Sequence, residues 1–314
     1  MKNKKILVTG GAGFIGSNLV GKLISDGNSV IVLDNFLSGY RSNLDAFPSV
    51  QLIEGDIRDK TAVELAMKKV EVVFHLAASV GNKRSIDHPI TDAEINVLGT
   101  IQILEAARKE GVRKIVVSSS AGIFGELKTM PIKEDHDIEP DSPYGCTKLC
   151  KEKLCLAYAK LYNIEAVALR YFNVYGQNQR FDAYGNVIPI FVFRMLQNEP
   201  IVIFGDGDQT RDFVHVDDVV QANINAADAI GVSGAFNIAS GTRVTINHLV
   251  EMIIKHNNGL TKIEHGPERP GDVRHSLADL TLAHQRINYT PTVDLETGVG
   301  EYVKWAQQQF ANIK

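Results

Sequence analysis

Residues 5–16 read Lys-Ile-Leu-Val-Thr-Gly-Gly-Ala-Gly-Phe-Ile-Gly, and this stretch decides the fold. Its first five residues predict a short buried strand, and residues 17–25 after it predict a helix. Glycines between the two allow a tight turn, and a helix N-terminus offers free N–H groups to a pyrophosphate. Two spacings fit, because Gly11, Gly13 and Gly16 match GxGxxG while Gly10, Gly13 and Gly16 match GxxGxxG. The stretch predicts a dinucleotide-binding strand, loop and helix, with a plain turn as the alternative.

A carboxylate follows the next predicted strand. Residues 29–33 predict that strand, and it ends in Asp34-Asn35. A carboxylate about twenty residues past the glycine loop can accept hydrogen bonds from the adenosine ribose hydroxyls, and it would repel a 2′-phosphate. No arginine directly follows Asp34, although Arg41 is nearby. NAD is therefore favoured over NADP, and a polar strand end without a ligand is the alternative.

The rest of the first half alternates strands and helices. Strands are predicted at 50–53, 72–76, 114–117 and 166–169, and helices at 60–69, 93–109 and 144–161. Such alternation predicts an α/β fold with a Rossmann-type, doubly wound parallel sheet. Ligands then lie at the carboxyl ends of the strands.

The composition of the chain changes after Arg170, where Gly, Asn, Pro and Asp become more frequent. We expect residues 1–172 to form the dinucleotide-binding domain, which also uses part of about 210–240. Residues 173–314 are expected to form mainly a smaller α/β substrate lobe that closes a cleft.

Composition excludes several classes of protein. The 314 residues are 44% apolar and 22% charged, with a net charge of −4 and no basic cluster, which argues against nucleic acid as a partner. The apolar run after Lys5 is too short for a signal peptide or a membrane span, so a cytoplasmic protein is expected. Cys146, Cys150 and Cys155 fall in one predicted helix and read as reduced, packed thiols, and no metal site is predicted.

A phenol and an ammonium lie four residues apart in Ser142-Pro143-Tyr144-Gly145-Cys146-Thr147-Lys148. At that spacing Tyr144 and Lys148 share one helix face. A nearby cation lowers the pKa of a phenol, so Tyr144 is predicted to act as a general base. Alone this short pattern is weak, and it needs support from the other motifs.

Many motifs occur in an order that is typical of one family. They are Thr9 to Gly16, Asp34-Asn35, Gly55-Asp56-Ile57, His75-Leu76-Ala77-Ala78, Asn96, Ser118-Ser119-Ser120, Tyr144-x-x-x-Lys148, Arg170-Tyr171-Phe172-Asn173, Thr210 to His215 and Arg269-Pro270-Gly271-Asp272. With them the chain resembles the extended short-chain dehydrogenase/reductases of the nucleotide-sugar epimerase/dehydratase group, and most of all the UDP-hexose 4-epimerases.

The resemblance implies an NAD-dependent reaction at the sugar C4. Tyr144 would take the proton from the 4-hydroxyl, Ser120 would hydrogen-bond the reacting oxygen, and Lys148 would lower the pKa of Tyr144 and hold the nicotinamide ribose. The positive nicotinamide would add to that shift. The residues implied to bind NAD are Gly10, Gly13, Phe14, Ile15, Gly16, Asp34, Asn35, Ser38, Gly39, Asp56, Ile57, Leu76, Ala77, Ala78, Asn96, Ser118, Tyr144, Lys148 and Phe172.

Two positions separate this chain from relatives with other chemistries. The resemblance implies that 4,6-dehydratases carry an Asp-Glu pair directly after the residue that matches Ser120, and that decarboxylases carry a Glu two residues after it. Here those positions are Ala121 and Gly122, which cannot transfer protons. Epimerisation needs neither group. The family often has Val-Tyr-Gly where this chain has Ile123-Phe124-Gly125, a departure that removes no proposed catalytic group.

The second half implies a nucleoside diphosphate sugar. Arg211 and Arg269 match residues that hold the pyrophosphate, with surface ion pairs as the alternative. Ser276 matches a position that is a bulky Tyr in epimerases restricted to non-acetylated hexoses. A Ser leaves room for an N-acetyl group, so UDP-GlcNAc and UDP-GalNAc are predicted substrates, while UDP-glucose and UDP-galactose stay open as a second pair. The full implied set of substrate contacts is Ser120, Tyr144, Asn173, Asn186, Val187, Val202, Phe204, Arg211, Arg269, Asp272 and Ser276.

Alternatives remain within and beyond this activity. The chain could epimerise another nucleotide sugar, such as a uronic acid or a deoxysugar, or could be a nucleotide-sugar 4-reductase. From another class, it could be a non-catalytic NAD-binding regulator, although such proteins often lose the Tyr/Lys pair. His75 and His215 are predicted to be structural. By resemblance, the helices at about 93–109 and 144–161 imply a symmetric homodimer.

Overall fold

The computed structural model describes residues 1–180, 186–257, 261–268 and 273–313. A seven-stranded parallel sheet lies at its centre, with helices on both faces. The strands are β1 (Lys5–Thr9), β2 (Ser29–Asp34), β3 (Gln51–Glu54), β4 (Val72–His75), β5 (Lys114–Ser120), β6 (Glu165–Tyr171), β7 (Asn173–Tyr175), β8 (Ile201–Phe204), β9 (Thr210–Arg211), β10 (Phe213–His215), β11 (Gly234–Ile238), β12 (Val244–Thr245) and β13 (Ile263–Gly266).

The helices are α1 (Phe14–Ser25), α2 (Lys60–Met67), α3 (Asn82–Asp87), α4 (Pro89–Ala93), α5 (Thr100–Glu110), α6 (Pro143–Leu161), α7 (Val187–Leu196), α8 (Val216–Asp228), α9 (Ile246–Lys255), α10 (Thr281–Ile287) and α11 (Leu295–Ile313). A π-helical turn, Glu94–Gly99, joins α4 to α5, so the helix that the sequence predicts at 93–109 begins irregularly. Short 3₁₀ turns occur at Arg41–Leu44 and Ala121–Ile123.

The strand order β3-β2-β1-β4-β5-β6-β11 is that of a doubly wound sheet. Along β1, Ile6 and Val8 face one hydrophobic core with α1 and α8, while Leu7 faces a second core with α2, α5 and α6. Because both faces are covered, the strands are continuous apolar runs rather than alternating ones. The predicted fold class is confirmed.

The seventh strand, β11, comes from the second half of the chain and pairs with β6. Helices α8 and α10 of that half also pack on the first core of the central sheet. A smaller lobe contains the parallel pair β8–β13, the antiparallel pair β9–β12 and the helices α7, α9 and α11, which surround a third core. The position of the domain boundary stays a prediction. Within the described residues, no helix is both long and apolar enough to cross a membrane.

The three cysteines are free thiols along α6. Cys146 is exposed, Cys150 is intermediate and Cys155 is buried. Burial raises the pKa of the Cys155 thiol to about 12, so this thiol stays protonated and packs as an apolar group.

Candidate active site

A cavity of about 1100 Å³ follows the carboxyl ends of the central strands. This is where an open parallel sheet binds ligands. It contains most of the residues predicted to bind cofactor and part of the predicted substrate set. The predicted residues that line it are Gly10, Gly13, Phe14, Ile15, Gly16, Asp34, Asn35, Ser38, Gly39, Asp56, Ile57, Leu76, Ala77, Ala78, Ser118, Ser120, Tyr144, Phe172, Asn173 and Asn186.

The glycine loop packs too tightly for side chains. Gly10 has a φ of 71°, and a Cβ there would lie 2.8 Å from the backbone nitrogen of Ala77. A Cβ on Gly16 would lie 2.1 Å from the carbonyl oxygen of Gly10. The first turn of α1 can therefore approach β1 closely. Gly13 caps this helix without a side-chain hydrogen bond, which leaves its N–H groups available to an anion.

Asp34 links the end of β2 to the glycine loop. Its Oδ2 accepts a hydrogen bond from the backbone N–H of Ala12 at 2.9 Å, and its Oδ1 accepts one from that of Phe36 at 2.8 Å. Burial raises the pKa of Asp34, and these hydrogen bonds oppose the shift. The carboxyl group thus orders the loop while lining the cavity. The ribose contact stays a prediction.

The carboxylate of Asp56 lines the same end of the cavity. Asn35 Nδ2 donates to Asp56 Oδ2 at 2.8 Å. The Arg58 guanidinium hydrogen-bonds Asp56 and lowers the pKa of that carboxyl to about 2. Asp56 is therefore a carboxylate throughout the physiological range.

This set of groups fits a dinucleotide. The backbone around Gly10 and Gly16 has room only for hydrogen, and a Cβ on Gly39 would lie 2.6 Å from the carbonyl oxygen of Ala12. A side-chain-free surface next to an uncapped helix N-terminus is what close approach of a pyrophosphate requires.

Tyr144 lies in the first turn of α6, which begins at Pro143. The Ser142 hydroxyl caps this helix by accepting from the Gly145 N–H at 3.2 Å, as a Ser-Pro helix start predicts. The Tyr144 N–H donates to Ser85 Oγ at 3.0 Å, which ties α6 to α3. The start of the helix that bears the phenol is therefore fixed by its own cap and by α3.

Ser120 ends β5 beside that phenol. Its hydroxyl accepts from the Gly122 N–H at 3.1 Å and hydrogen-bonds the Tyr144 side chain. Burial raises the pKa of Tyr144 to about 12; the Ser120 hydrogen bond opposes this shift, and the charge of Asp92 adds to it.

Lys148 is hydrogen-bonded to the end of β5. Its Nζ donates to the carbonyl oxygen and the hydroxyl of Ser118, at 2.5 and 3.1 Å, behind the cavity wall. Burial lowers the pKa of Lys148 to about 7, and this lysine is not among the causes of the Tyr144 shift. The roles that the resemblance implies for Lys148, in lowering the pKa of Tyr144 and in holding the nicotinamide ribose, stay predictions.

A layer of buried polar groups supports the site from behind. Lys151 Nζ donates to the Ala77 carbonyl at 2.9 Å, and the pKa of this buried lysine is well below its usual value. Glu152 accepts two hydrogen bonds from Arg170, at 2.8 and 3.1 Å, and one from Ser119 Oγ at 2.7 Å. These contacts hold the ends of β4, β5 and β6 against α6.

Phe124, where this chain departs from the family pattern, is held by ring contacts. The Phe124 ring is fully buried, and the Arg170 guanidinium lies over it at 5.1 Å from the ring centre. The His136 ring meets its edge at 5.6 Å. Packing and a cation–π contact thus hold the ring at the position where the resemblance implies a tyrosine.

Asn96 and the two histidines lie outside the cavity wall. Asn96 is fully buried, and its amide hydrogen-bonds the backbone of Ser79 and the Thr147 hydroxyl. His75 is held between Thr9 and Thr100, and burial keeps its pKa well below the usual value. His215 Nδ1 accepts from the Asp217 N–H at the start of α8.

Several predicted substrate residues are not brought into this cavity. Val187, Val202, Phe204, Arg211 and Ser276 do not line it. Val202 and Phe204 share one face of β8 against Gly266, and the Ser276 N–H donates to the Thr210 carbonyl at 3.1 Å.

Arg269 and Asp272, which the sequence also predicts, lie outside the described residues.

Other lining residues were not predicted. Val80, Lys83, Arg84 and Ile86 come from the loop before α3 and from α3 itself, and Gln179 and Arg180 come from the segment after β7. No motif marks these segments, since they reach the cavity through tertiary contacts only. Arg180, for example, donates to the carbonyl of Leu37, which is 143 residues away in the chain, at 3.3 Å.

Known proteins resemble this chain over nearly its whole length. Residues 6–239 match the family described as NAD dependent epimerase/dehydratase family. The putative UDP-glucose 4-epimerase of Methanocaldococcus jannaschii is 43% identical over 96% of this chain and 97% of its own length. A UDP-N-acetyl-alpha-D-glucosaminuronate decarboxylase of Bacillus cytotoxicus is 34% identical over 97% of this chain and 98% of its own.

A solved structure is also similar to this chain over nearly its whole length. The UDP-N-acetylglucosamine 4-epimerase from Methanobrevibacter ruminantium, in complex with UDP-N-acetylmuramic acid, is 37% identical and superposes with a TM-score of 0.94. The match covers 98% of this chain and 100% of that one. The chain therefore belongs to the NAD-dependent epimerase/dehydratase family of enzymes, which confirms the resemblance and NAD as the cofactor.

Proposed function

We propose that this enzyme catalyses the reversible C4 epimerisation of a UDP-hexose through a transient 4-keto sugar. One observation carries the proposal: Ser120 and Tyr144 lie in the same cavity as the glycine loop, with no acid or base at the next two positions. The two similar epimerases support UDP-sugars as the substrate class.

The residues of this chain account for proton transfer. Ser120 and the Tyr144 phenol can meet at one sugar oxygen, so the phenolate takes the proton of the 4-hydroxyl and returns it after the sugar has turned. NAD, when bound, supplies a hydride acceptor for C4 and a positive charge that favours the phenolate. Such a charge is needed, because the pKa of Tyr144 is about 12 in the chain itself.

The 3₁₀ turn after Ser120 disfavours the family's other reactions. A Cβ on Gly122 would lie 3.4 Å from Ser120 Oγ and 3.7 Å from Tyr144 Cε1, so this position adjoins the reacting groups. A carboxylate there could move a proton near C5 or assist loss of a carboxyl group, but Gly122 and Ala121 offer none. Elimination and decarboxylation therefore lack their proton-transfer groups, although a decarboxylase is among the relatives.

The choice of sugar rests on Ser276. We propose that UDP-GlcNAc and UDP-GalNAc are substrates because this side chain is small, with UDP-glucose and UDP-galactose as the second pair. Ser276 is buried and lies away from the described cavity wall, so its part in selection rests on the family resemblance.

We also propose that the protein is a cytoplasmic homodimer. Free cysteines agree with a reducing compartment. Large apolar side chains are exposed on the helices that the resemblance places at the dimer axis, where Leu98 is 57% and Leu161 69% exposed, and on the preceding helix α4, where Ile90 is 75% exposed. Clustered exposed apolar residues mark interaction surfaces.

The central test is direct. Purified protein is incubated separately with UDP-GlcNAc, UDP-GalNAc, UDP-glucose and UDP-galactose, without added NAD or NADH, and the anomeric signals are followed by NMR. We expect interconversion of the acetylated pair at least. A 4-reductase would require external reductant. No interconversion of any pair contradicts the proposed function.

Tyr144→Phe should fold and bind NAD but lose about two to four orders of magnitude in kcat, because a positioned proton-transfer group typically contributes that much. The same change at Tyr158, on the same helix but hydrogen-bonded to Glu105, is the control and should keep near-normal turnover. Near-normal turnover of Tyr144→Phe would show that the base lies elsewhere.

Ser276→Tyr should suppress turnover of the acetylated pair selectively, since a phenol would fill the space left for the N-acetyl group. The internal control is the non-acetylated pair, measured as kcat/KM on the same preparation. Equal loss on all four sugars would refute a role in selection.

Leu98→Asp should convert the dimer to monomer, because an unpaired charge in the core of an interface is costly. Light scattering after size-exclusion chromatography measures the mass. Ile230→Asp is the matched control, since Ile230 is 85% exposed and lies between α8 and β11, outside those helices. A wild-type monomer, or a dimer that tolerates Leu98→Asp, argues against this surface.

A further inference from the structure

A buried carboxyl group lies behind the proposed catalytic turn of α6. Asp92, in α4, has no exposed surface, and its Oδ2 accepts a hydrogen bond from Thr147 Oγ1 at 2.5 Å. Its Oδ1 is equally buried and has no hydrogen-bond partner within the described part of the chain. Thr147 lies between Tyr144 and Lys148, so the carboxyl group is fastened to the turn that bears both.

Thr147 is itself fixed by a second contact. Asn96 Nδ2 donates to Thr147 Oγ1 at 3.0 Å, and the other atoms of the Asn96 amide bond the backbone of Ser79. The Asp92 carboxyl group is therefore held in place and cannot rotate freely towards solvent. A buried charge without full hydrogen bonding requires compensation from an opposite charge nearby.

Asp92 is placed to act on Lys148, because its carboxyl group is bound to Thr147, the residue directly before Lys148. Asp92 is the strongest of the charges that oppose the effect of burial on Lys148, ahead of the Cys155 thiol and Glu152. Glu152 is already engaged by Arg170.

Lys148 also faces two other basic groups. Lys151 is on the same helix, and His75 lies at the end of β4; each interacts electrostatically with Lys148. Burial lowers the pKa of both, which favours their neutral forms. Asp92 also acts on Tyr144, where a negative charge disfavours the phenolate.

We propose that Asp92 is a positioning residue of this site, whose buried carboxylate holds Lys148 in its ammonium form and so sets the pH range in which the Tyr144–Lys148 pair works. The catalytic part of this inference rests on the proposed 4-epimerase function. The electrostatic part concerns the folded chain alone.

The first test is the pH dependence of stability in Asp92→Asn. In the folded state the pKa of Lys148 is about 7, against a usual value of 10.5. The attraction between Asp92 and the ammonium is therefore present below pH 7 and is lost as Lys148 becomes neutral. We expect Asp92→Asn to lower the free energy of unfolding more at about pH 6 than at about pH 9, measured with urea.

Asp218→Asn is the matched control. Asp218 is also buried and accepts a hydrogen bond from a threonine hydroxyl, that of Thr292 at 2.9 Å, but it lies in α8 away from the cavity. Its replacement should cost the same at both pH values. An Asp92→Asn cost that does not change with pH overturns the proposal.

The second test is the pH profile of kcat. In Asp92→Asn the limb that reports loss of the Lys148 proton should move to lower pH by about half a unit or more, because a removed counter-charge favours the neutral amine. Asp92→Glu, which restores the charge, should move it back towards wild type. An unmoved limb in Asp92→Asn overturns the proposal.

The two hypotheses fail in different ways. Wild-type protein that is inactive on all four sugars defeats the proposed function, while the stability measurement still decides the role of Asp92. An active wild type with unmoved stability and pH profiles defeats only the Asp92 inference. Asp92→Ser is a second neutral variant that keeps an acceptor for Thr147. If neither neutral variant folds, Asp92 is a structural residue and the proposal is rejected.

Discussion

The site depends on how closely two pieces of backbone approach each other. The turn after β1 lies against the end of β4 so tightly that Gly10 has room only for hydrogen. This contact brings the N-terminus of α1 to the carboxyl edge of the sheet, where Asp34 then fastens the loop through the Ala12 N–H. A side chain at Gly10 or Gly16 would push α1 away and remove the cofactor surface with it. Everything else in the cavity is placed relative to this edge.

Helix α6 meets a different constraint, because it carries charged groups into the interior. Arg170 donates two hydrogen bonds to Glu152 there, and the Ser119 hydroxyl donates a third. Removing one partner of such a pair typically costs about 3–5 kcal/mol, whereas an exposed pair such as Lys22–Asp26 contributes about 0.5 kcal/mol. The buried pair keeps Ser120, one residue beyond Ser119, aligned with the phenol on the facing helix. Burying this charged pair costs free energy of desolvation, but the pair orders Ser120 relative to Tyr144.

The sequence was sufficient for the fold and for the groups nearest the sheet. Strand, glycine loop and helix follow from local spacing, and Asp34, Ser118, Ser120 and Tyr144 follow strands or start helices that periodicity reveals. Tertiary contacts were not accessible in this way. The direction of Lys148 depends on Ser118, which is 30 residues away, and the buried position of Asp92 depends on Thr147, which is 55 residues away. Sequence spacing on one helix placed Lys148 near Tyr144 but could not show that burial opposes both charges.

The turn at Ala121 and Gly122 carries no proton-transfer side chain, and this affects which side reactions a keto sugar could undergo. A ketone at C4 acidifies the hydrogen on the neighbouring carbon, so the proposed intermediate is most vulnerable while it waits to be reduced. Any carboxylate within reach would compete with hydride return by removing that hydrogen. A methyl group and a hydrogen atom cannot do so. In the proposed reaction, the partition between hydride return and decomposition of the keto sugar would then depend on this short turn, because neither Ala121 nor Gly122 can remove that hydrogen.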